Sequence, residues 1–497
     1  MSSFPYRKAH FIGIAGVGMS ATALLLRDSG VAVTGSDEAI YPPISEVLAA
    51  EQLDCRVPYS AANIPEDADL IVIGKNARLV PQTNEEVAEA FARVAGQGPV
   101  RPAILSFAEV LGLLSKDRTP VVMAGSFGKT TSVSLLSHCL LEAGLDPSFM
   151  IGAAPLSPPK AWHVGQGDLF LLEGDEYPSS NTDDRSKFLH YAPAHLILTP
   201  LAHDHVNVFP TVESYLAPFH QLMDLTAPEG LVLAALSGEL SRGFLEGVKR
   251  PVTTFGVDQG EWQARDIRLG ERSRFTLTHK GDPVVEVETG QLGLHNIENM
   301  VGIGAFVLTR GLVSAADYAR AMGSFAGIRR RLDRKSQRTS VPIYEGFGSS
   351  YDKARSAIAA MKLHFPGRRL VAVFEPHTFS WRNRGTLHWY DDAFAGCDEV
   401  LVYEPASQGA GTHDQVTQAE IVARIRAAGQ CATPVTSCAE GVAALESGLK
   451  GDEAVILLSS GPLGGLIEAI PAMCERRWPI YGIWIPHSKK PAITGCF

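Results

Sequence analysis

A strand, a glycine-containing turn and the start of a helix follow one another near residue 125. An apolar run ends at Ala124, and a helix-like pattern begins at Ser132. Such a turn directs backbone N–H groups and the positive end of the helix at one point, where an anion binds. Lys129 adds a mobile positive charge for outer phosphates, and the Thr130 hydroxyl suits Mg²⁺. The pattern predicts a nucleoside triphosphate site, although Met123 stands where the usual motif has its first glycine. The residues predicted to contact the phosphates are Gly125, Ser126, Phe127, Gly128, Lys129, Thr130 and Thr131.

Acidic and histidine side chains follow the next two predicted strands. Glu173 comes directly after an apolar strand, and His205 follows Asp204 after the next one. In open α/β sheets, ligands collect at the carboxyl ends of the strands. We therefore expect Glu173 and His205 to be Mg²⁺ ligands beside Thr130. The alternatives are a solvated strand-end acid and a structural histidine.

A second glycine turn lies near the N-terminus, between a strand at residues 10–14 and a helical pattern at 21–26. A further strand, 31–37, ends in an acid, which completes a βαβ unit. The glycines are ordered G-x-x-G-x-G rather than in the dinucleotide order, so a tight turn without a ligand is the alternative. The candidate binding residues are Gly16, Gly18, Met19, Ser20 and Asp37, the last at a distance suited to a ribose hydroxyl.

Composition shifts predict three α/β domains and a tail. The chain has 497 residues, and a polar stretch at 114–120 and a basic cluster at 325–334 indicate the linkers. The predicted ranges are 1–117 for a Rossmann-like domain, 118–324 for a central P-loop domain, 325–478 for a second Rossmann-like domain, and 479–497 for the tail. Within the central domain, segments 252–256, 274–278 and 284–288 are predicted to be short antiparallel strands.

Charge and cysteine usage exclude several classes of protein. The net charge is −10 with 20% charged residues, which argues against a nucleic-acid partner. The seven cysteines are scattered without a C-x-x-C pair, which argues against a disulfide framework or a zinc site and favours a reducing cytoplasm. No signal peptide is visible, and no apolar run approaches the ~20 residues that span a bilayer, so no membrane partner is expected.

Two further motifs each leave two interpretations open. Asn296 precedes a helical pattern at 300–308, where it is either a helix cap or a hydrogen-bonding partner for an adenine edge or a phosphate. The arginines at 329–331 form either a solvated turn or an arm that places an arginine over phosphates bound by another domain.

These motifs together resemble those of the Mur ligase family, ATP-dependent enzymes of peptidoglycan metabolism that form amide bonds. The resemblance covers about residues 8–470. It rests on the segments 13–20, 125–131, Glu173-Gly-Asp-Glu176, Asp204-His205, His295-Asn-x-x-Asn299 and Phe325-x-Gly-x-x-Arg-Arg331. Within the family, segments 41–45, 175–177, 185–191 and 374–376 are more similar to the branch that accepts a murein tripeptide than to the branch that accepts L-alanine.

The resemblance implies a function for each site. ATP, with Mg²⁺, would phosphorylate the lactyl carboxylate of UDP-N-acetylmuramate bound by the N-terminal domain. The amino group of the tripeptide L-Ala-γ-D-Glu-meso-diaminopimelate would then attack the acyl phosphate. The implied catalytic residues are Lys129, Glu173, His205 and Arg331, of which Arg331 reaches ATP from the third domain.

The chain departs from the family pattern at several positions. Phe127 replaces a histidine of the phosphate loop, and His377 replaces an arginine that follows Glu375-Pro376 in the tripeptide branch. The third-domain segment that usually carries two acids and two histidines is Glu345-Gly-Phe-Gly-Ser-Ser-Tyr351. Two alternatives therefore stay open: a small amino acid as acceptor, or a diverged non-catalytic binding protein, for which Gly346, Ser349 and Ser350 are the support.

Overall fold

The computed structural model describes residues 4–96, 100–405 and 414–480, so residues 481–497 of the predicted tail lie outside the described part. Its contacts divide the chain into two units, Met1–Arg329 and Arg330–Phe497. Within the described residues, none of the helices combines the length and the apolar character needed to cross a membrane.

The first sheet contains five parallel strands in the order β3-β2-β1-β4-β5. The strands are β1 (Lys8–Ile12), β2 (Ala32–Ser36), β3 (Asp54–Arg56), β4 (Leu70–Ile73) and β5 (Ala103–Leu105). The helices are α1 (Val17–Asp28), α2 (Ile44–Ala50), α3 (Glu85–Val94) and α4 (Phe107–Ser115). Every residue of β4 is buried, as expected for a parallel strand covered on both faces.

A buried carboxylate holds the end of this sheet under the N-terminal glycine turn, the turn between β1 and α1. Glu86 accepts hydrogen bonds from Ser36 Oγ at 2.5 Å and Ser60 N at 2.9 Å, and it pairs with His10 Nε2 at 2.7 Å. Burial alone would raise the pKa of Glu86, but these partners hold it below its usual range. The Ser36 carbonyl in turn accepts the N–H groups of Gly13 and Ile14, which fixes the turn.

The second sheet contains ten strands in the order β15-β14-β13-β12-β11-β10-β6-β9-β7-β8. The first five in the chain are β6 (Thr119–Ala124), β7 (Ser148–Met150), β8 (Trp162–His163), β9 (Leu169–Gly174) and β10 (His195–Leu198). The others are β11 (Val232–Ala235), β12 (Thr253–Gly256), β13 (Trp262–Arg268), β14 (Ser273–His279) and β15 (Asp282–Thr289). The helices are α5 (Lys129–Glu142), α6 (Val212–Leu225), α7 (Ser241–Glu246), α8 (Leu294–Thr309) and α9 (Ala315–Ser324). Strand β6 lies between β9 and β10, so the segments that follow all three strands meet at one edge.

Two local predictions in this region are wrong. Strand β12 pairs in parallel with β11, because α7 returns the chain between them, whereas an antiparallel strand was predicted. The antiparallel part consists of β13, β14 and β15, and β13 was not predicted. Helix α8 begins at Leu294 rather than at 300, after Gly293 with φ +91° and no side-chain cap.

The third sheet belongs to the second unit and has the order β16-β17-β21-β18-β19-β20. Only the β16–β17 pair is antiparallel. The strands are β16 (Arg331–Arg334), β17 (Ile343–Gly346), β18 (Leu370–Phe374), β19 (Glu399–Tyr403), β20 (Cys431–Val435) and β21 (Ala454–Leu458). The helices are α10 (Tyr351–His364), α11 (Phe379–Arg382), α12 (Gln418–Ala427), α13 (Cys438–Gly448) and α14 (Leu466–Arg477). Short 3₁₀ helices cover Ala61–Asn63, Lys187–His190, Arg384–Asp391 and Leu463–Gly465. Three sheets flanked by helices confirm the predicted α/β class with three domains.

Candidate active site

The phosphate loop joins β6 to α5 through two glycines with positive φ. Gly125 has φ +140° and Gly128, the N-cap of α5, has φ +85°. A Cβ at Gly125 would overlap Thr199 Oγ1 and lie 2.6 Å from Thr199 O, and a Cβ at Gly128 would lie 2.5 Å from Asn299 Oδ1. Both positions therefore require glycine, and the loop is packed against β10 and α8.

Ser126 and Phe127 have different roles inside the loop. The Ser126 hydroxyl donates to Ala202 O at 2.7 Å, accepts from Ala202 N at 2.8 Å and lies 2.6 Å from Tyr215 Oη. Its side chain thus ties the loop to the segment after β10. Phe127 is 58% exposed at the tip of the loop. Thr131 lies half-buried in the first turn of α5.

Lys129 makes a buried ion pair with Glu176. Its Nζ lies 2.8 Å from Glu176 Oε2 and also donates to Gly125 O. The Glu176 side chain is 1% exposed and that of Lys129 is 13% exposed. The second carboxylate oxygen, Glu176 Oε1, is buried and has no hydrogen-bond partner within the described residues. A buried, incompletely satisfied carboxylate next to a phosphate loop is a position that a bound cation would stabilise.

Thr130 and Glu173 meet directly at the start of α5. The Thr130 hydroxyl donates to Glu173 Oε1 at 2.7 Å, while Gly152 N donates to Glu173 Oε2 at 3.0 Å. A Cβ at Gly152 would lie 2.6 Å from Glu173 Oε2, so glycine is what lets the 152 segment approach the carboxylate. The hydroxyl and the carboxylate that the sequence predicts as metal ligands are thus adjacent.

His205 lies against Glu176 and Tyr177. Its Nε2 is 3.2 Å from Glu176 Oε1 and its Nδ1 is 3.1 Å from Tyr177 Oη, with the two rings 4.4 Å apart. His205 adopts φ +56°, an uncommon conformation for a residue with a Cβ that is often found at functional sites. The imidazole therefore joins the Lys129–Glu176 pair rather than contacting Glu173.

The donor set beside the loop fits Mg²⁺. This ion prefers oxygen ligands, and it is usually bound through one or two carboxylates together with substrate phosphates. Thr130 Oγ1, Glu173 and the unpartnered Glu176 Oε1 are such oxygens. The residues that would hold the ion are therefore Thr130 and Glu173, with Glu176 and His205 next to them.

A cavity of about 430 Å³ opens between the N-terminal glycine turn and the segment after β9. Its lining includes Gly16, Gly18 and Asp37 on one side, and Glu173 and Lys187 on the other. The carboxylate that contacts Thr130 therefore also faces the glycine turn of the first sheet. A volume of this size is typical of a small-molecule site.

Asp37 holds the glycine turn from inside the cavity. Its Oδ2 accepts Ala15 N at 2.8 Å and its Oδ1 accepts Tyr59 Oη at 3.0 Å. Met19 also lines the cavity. Ser20 is buried, and its hydroxyl and N–H are bonded to Val17 O and Gly16 O within α1. Of the predicted residues here, the Ser20 side chain is the one the structure keeps out of the cavity.

Two lysines lie among the three carboxylates that line this cavity, which are Asp37, Glu173 and Asp175. Lys187 lies beside Asp175, with which it pairs, and Lys75 lies in the same wall. Burial alone would raise the pKa of Asp175, but Lys187 holds it below its usual range. Burial and the charge of Lys187 lower the pKa of Lys75. The cavity therefore carries charges of both signs, and Lys75 and Lys187 are the cations that an anionic group could contact there.

The two asparagines of the α8 motif occupy different environments. Asn296 is buried, and its Nδ2 donates to Leu292 O at 2.8 Å. Asn299 Oδ1 lies next to Gly128 and accepts from Ser132 Oγ at 3.4 Å. The structure therefore brings Asn299, rather than the predicted Asn296, to the phosphate loop.

Arg331 begins the third sheet. It is exposed in β16, opposite Gly346, where the register shifts between Arg331 and Asp333. Its neighbour Arg330 is used inside the second unit, donating to Ser460 O at 2.8 Å and pairing with Glu345 Oε1 at 3.2 Å.

The departures in the second unit have local packing reasons. A Cβ at Gly346 would lie 3.0 Å from Leu458 Cδ2, and Ser350 is the N-cap residue of α10. His377 lies 3.6 Å from Glu375 Oε1, and its Nδ1 is buried without a hydrogen-bond partner in the described part of the chain. We have no structural account of Ser349.

Comparison with known proteins gives the class. The chain matches the Mur ligase family, catalytic domain, over residues 8–105, and the Mur ligase middle domain over residues 123–307. It is 30% identical over 405 residues to the UDP-N-acetylmuramate–L-alanine ligase of Solidesulfovibrio magneticus, covering 81% of this chain and 84% of that one. The chain belongs to the Mur ligase family, whose members are ATP-dependent ligases that form amide bonds.

Two further similar proteins differ in the acceptor that their names give. The chain is 28% identical over 467 residues to the UDP-N-acetylmuramate–L-alanyl-γ-D-glutamyl-meso-2,6-diaminoheptandioate ligase of Escherichia coli K12, covering 93% of this chain and 97% of the relative. The crystal structure of a UDP-N-acetylmuramate-alanine ligase from Thermotoga maritima matches with a TM-score of 0.71 at 22% identity, covering 94% of this chain and 98% of that one. Relatives of both acceptor types are thus similar to the chain at comparable identity.

Several residues of the site carry no assigned role in the sequence analysis. They are Glu176, Tyr177, Lys187, Gly152 and Asn299. Glu176 and Tyr177 lie in the acidic segment after β9, and Asn299 lies in the motif that contains Asn296. Their closeness in sequence to predicted site residues could have indicated them. Lys187 lies in segment 185–191, which the sequence analysis names for its similarity to the tripeptide branch. Gly152 reaches the site through the fold, and no local pattern indicates it.

Proposed function

We propose that this ligase activates the lactyl carboxylate of UDP-N-acetylmuramate with ATP and joins it to the amino group of a murein tripeptide. The observation that carries the proposal is the shared position of Glu173. This carboxylate contacts the phosphate-loop Thr130 and also lines the cavity of the glycine turn. A nucleotide on the loop and a ligand in the cavity would therefore meet at one carboxylate.

Each site residue has a task in this reaction. Lys129 would leave Glu176 and pair with the outer phosphates as the nucleotide binds. The carboxylate and the phosphates are both anions within reach of the lysine side chain. Thr130 and Glu173 would hold Mg²⁺, which neutralises phosphate charge when bound. His205 would orient Glu176, and Asn299 would support the loop at Gly128.

The cavity would bind the UDP-sugar. The N-terminus of α1 carries no acidic residue in its first turn, and Gly16 caps it without a side chain, so its N–H groups suit a diphosphate. Lys75 and Lys187 add positive charge on the opposite wall. The carboxylate of the sugar would face Glu173 and its metal, and phosphorylation there gives an acyl phosphate.

The second unit would supply the amine and Arg331. We propose that the chain is divided functionally at residues 1–117, 118–324 and 325–478, as the sequence pattern indicates. Arg331 is exposed in β16, while Arg330 is held by Ser460 and Glu345. Arg331 also stands at the arginine of the motif Phe325-x-Gly-x-x-Arg-Arg331, so it is the candidate to reach phosphate and neutralise the transition state.

The tripeptide is the preferred acceptor because branch-specific segments lie at the site. Tyr177, in the segment similar to the tripeptide branch, contacts His205, and Lys187, in another such segment, lines the cavity. L-Alanine is the second candidate, favoured by the relatives of that type at 28–30% identity.

A competition assay tests the proposal. The enzyme is incubated with ATP, Mg²⁺, UDP-N-acetylmuramate and equal amounts of the tripeptide, L-alanine, L-serine and glycine, and the products are identified by mass spectrometry. We expect the UDP-sugar tripeptide as the main product, with phosphate release that depends on both substrates. A main product carrying L-alanine would establish the second candidate, and no product from any amine would favour a non-catalytic binding protein.

A further inference from the structure

A cluster of three potential metal ligands lies away from the phosphate loop. It consists of Glu109 on α4, Asp183, and His190 at the end of the 3₁₀ helix Lys187–His190. One ligand atom from each residue lies within 4.8 Å of the others. None of the three contributes to the reaction proposed above.

His190 directs a buried ring nitrogen at the carboxylate of Asp183 in this cluster. Its side chain is 9% exposed, and its Nε2 has no hydrogen-bond partner in the part of the chain that the structure describes. The nearest carboxylate oxygen is Asp183 Oδ2 at 3.2 Å.

Glu109 is oriented toward the cluster by its own helix cap. Its Oε2 accepts Ser106 N at 2.8 Å and Ser106 Oγ at 3.0 Å, which leaves Oε1 without a hydrogen bond within the described residues. Such a hydrogen-bonded outer shell is what orients carboxylate ligands in metal sites. Asp183 is held similarly, because its Oδ1 accepts Arg185 N at 3.0 Å.

The packing and a second cavity make the cluster accessible. A Cβ at Gly112 would overlap the His190 carbonyl oxygen, so glycine is what allows α4 to approach residue 190. A cavity of about 700 Å³ is lined by both Glu109 and His190, with Lys116 and Arg118 also in its wall. Two of the three residues of the cluster, Glu109 and His190, therefore border this cavity.

We propose that Glu109, Asp183 and His190 form a binding site for a divalent transition-metal ion of the Zn²⁺ class. An imidazole with two carboxylates suits such an ion better than Mg²⁺, which prefers oxygen ligands alone. Zn²⁺ binds nitrogen and oxygen at about 2.0–2.2 Å, so ligand atoms around one ion lie roughly 3–4 Å apart. The ligand atoms of the cluster lie within 4.8 Å of one another, so the side chains would have to rotate toward the ion to reach this spacing.

Arg185 competes with the metal for Asp183. Its Nη2 lies 2.8 Å from Asp183 Oδ2, and its side chain is 63% exposed. An exposed guanidinium can move into solvent when an ion enters, at the loss of one ion pair. The bound ion would connect α4 to the segment that carries Lys187, a residue of the first cavity, and would stabilise that wall.

The test is a titration of the chelator-treated full chain with ZnCl₂ by calorimetry, followed by Co²⁺ absorption spectroscopy. We expect saturable binding and a visible Co²⁺ band, with affinity at least about tenfold weaker in His190→Gln and Asp183→Asn. Arg185→Gln should bind Zn²⁺ more tightly, because the competing cation is gone. His163→Gln is the matched control, since His163 pairs with Asp146 at 2.6 Å outside the cluster, and it should bind like the parent chain.

Each possible result decides for or against the site. Metal-free His190→Gln should melt like the metal-free parent, and should lose only the rise in melting temperature that Zn²⁺ produces. If His190→Gln does not fold, Asp183→Asn gives the same comparison at a more exposed residue. No Zn²⁺ binding by the parent, or equal affinity in the parent, Asp183→Asn and Arg185→Gln, would overturn the proposal.

Discussion

The ion pair between Lys129 and Glu176 predicts that a phosphate-loop substitution has two separable effects. Lys129→Ala removes the cation from a carboxylate that is 1% exposed and whose other oxygen has no hydrogen bond within the described residues. We expect loss of stability because Glu176 stays buried without its lysine, and His205 Nε2, 3.2 Å from the other oxygen, does not replace that cation. We expect loss of turnover because the outer phosphates lose their cation.

The structure sets the size of both effects. Removing one partner of a buried ion pair costs about 3–5 kcal/mol, which corresponds to roughly 5–15 °C in melting temperature. Replacing both partners by neutral groups of similar volume is often nearly neutral. The double variant Lys129→Met/Glu176→Gln should therefore melt within a few degrees of the parent. Turnover should fall at least about 10²-fold in both variants, because each lacks the lysine.

Thermal melting, phosphate release and calorimetry with UDP-N-acetylmuramate measure the three quantities on the same samples. UDP-sugar affinity should change little, because Lys129 does not line the cavity of the glycine turn. Equal melting of the single and double variants would refute the reasoning about the buried pair. Retained turnover in Lys129→Ala would refute the assignment of the loop.

Three further predictions concern the metal site, the packing and the pH response. Glu173→Gln keeps an acceptor for Thr130 but removes the charge, so calorimetry should show that Mg²⁺ no longer tightens binding of a non-hydrolysable triphosphate. Gly112→Ala forces a methyl group against the His190 carbonyl and should cost about 1–3 kcal/mol in thermal melts, whereas Gly243→Ala, with open space around it, should not destabilise. Burial, with a smaller contribution from Arg310, lowers the pKa of His195 to about 4 against the opposing charge of Glu229, so stability should fall by up to about 3 kcal/mol as pH falls from 6.5 towards 4.

The sign of the pH prediction follows from which state binds the proton first. Below pH 6.5 the unfolded chain protonates its histidine while the folded chain does not, so protons favour unfolding. His195→Asn keeps an acceptor for Leu231 N, which His195 Nδ1 bonds at 2.9 Å, but it cannot titrate. This variant should lose that part of the pH dependence, and an unchanged slope would contradict the role of His195.

The phosphate loop was predictable because all of its signals are local. A strand, two glycines with positive φ and a helix start occupy adjacent positions, and β6, Gly125, Gly128 and α5 realise that pattern. The predicted acid Glu173, at the end of β9, is also adjacent to the loop in space, because neighbouring parallel strands end at the same edge.

The partners across the site were not predictable in the same way. Glu176 meets Lys129 across 47 residues, and Glu86 meets His10 across 76 residues, so no local pattern reports either pair. The start of α8 was placed too late because Gly293 provides no side-chain cap to mark it. The prediction that segment 252–256 is antiparallel was wrong because the crossover helix α7, Ser241–Glu246, is only six residues long and gives little helical periodicity.

The measurement that tests the account most directly is the transfer of oxygen from substrate to phosphate. UDP-N-acetylmuramate labelled with ¹⁸O in its lactyl carboxylate is incubated with ATP, Mg²⁺ and the accepted amine, and the released phosphate is analysed by mass spectrometry. Activation of the carboxylate at Lys129 and Glu173 predicts one labelled oxygen in each phosphate formed with an amide bond. Unlabelled phosphate at the same stoichiometry would contradict the account.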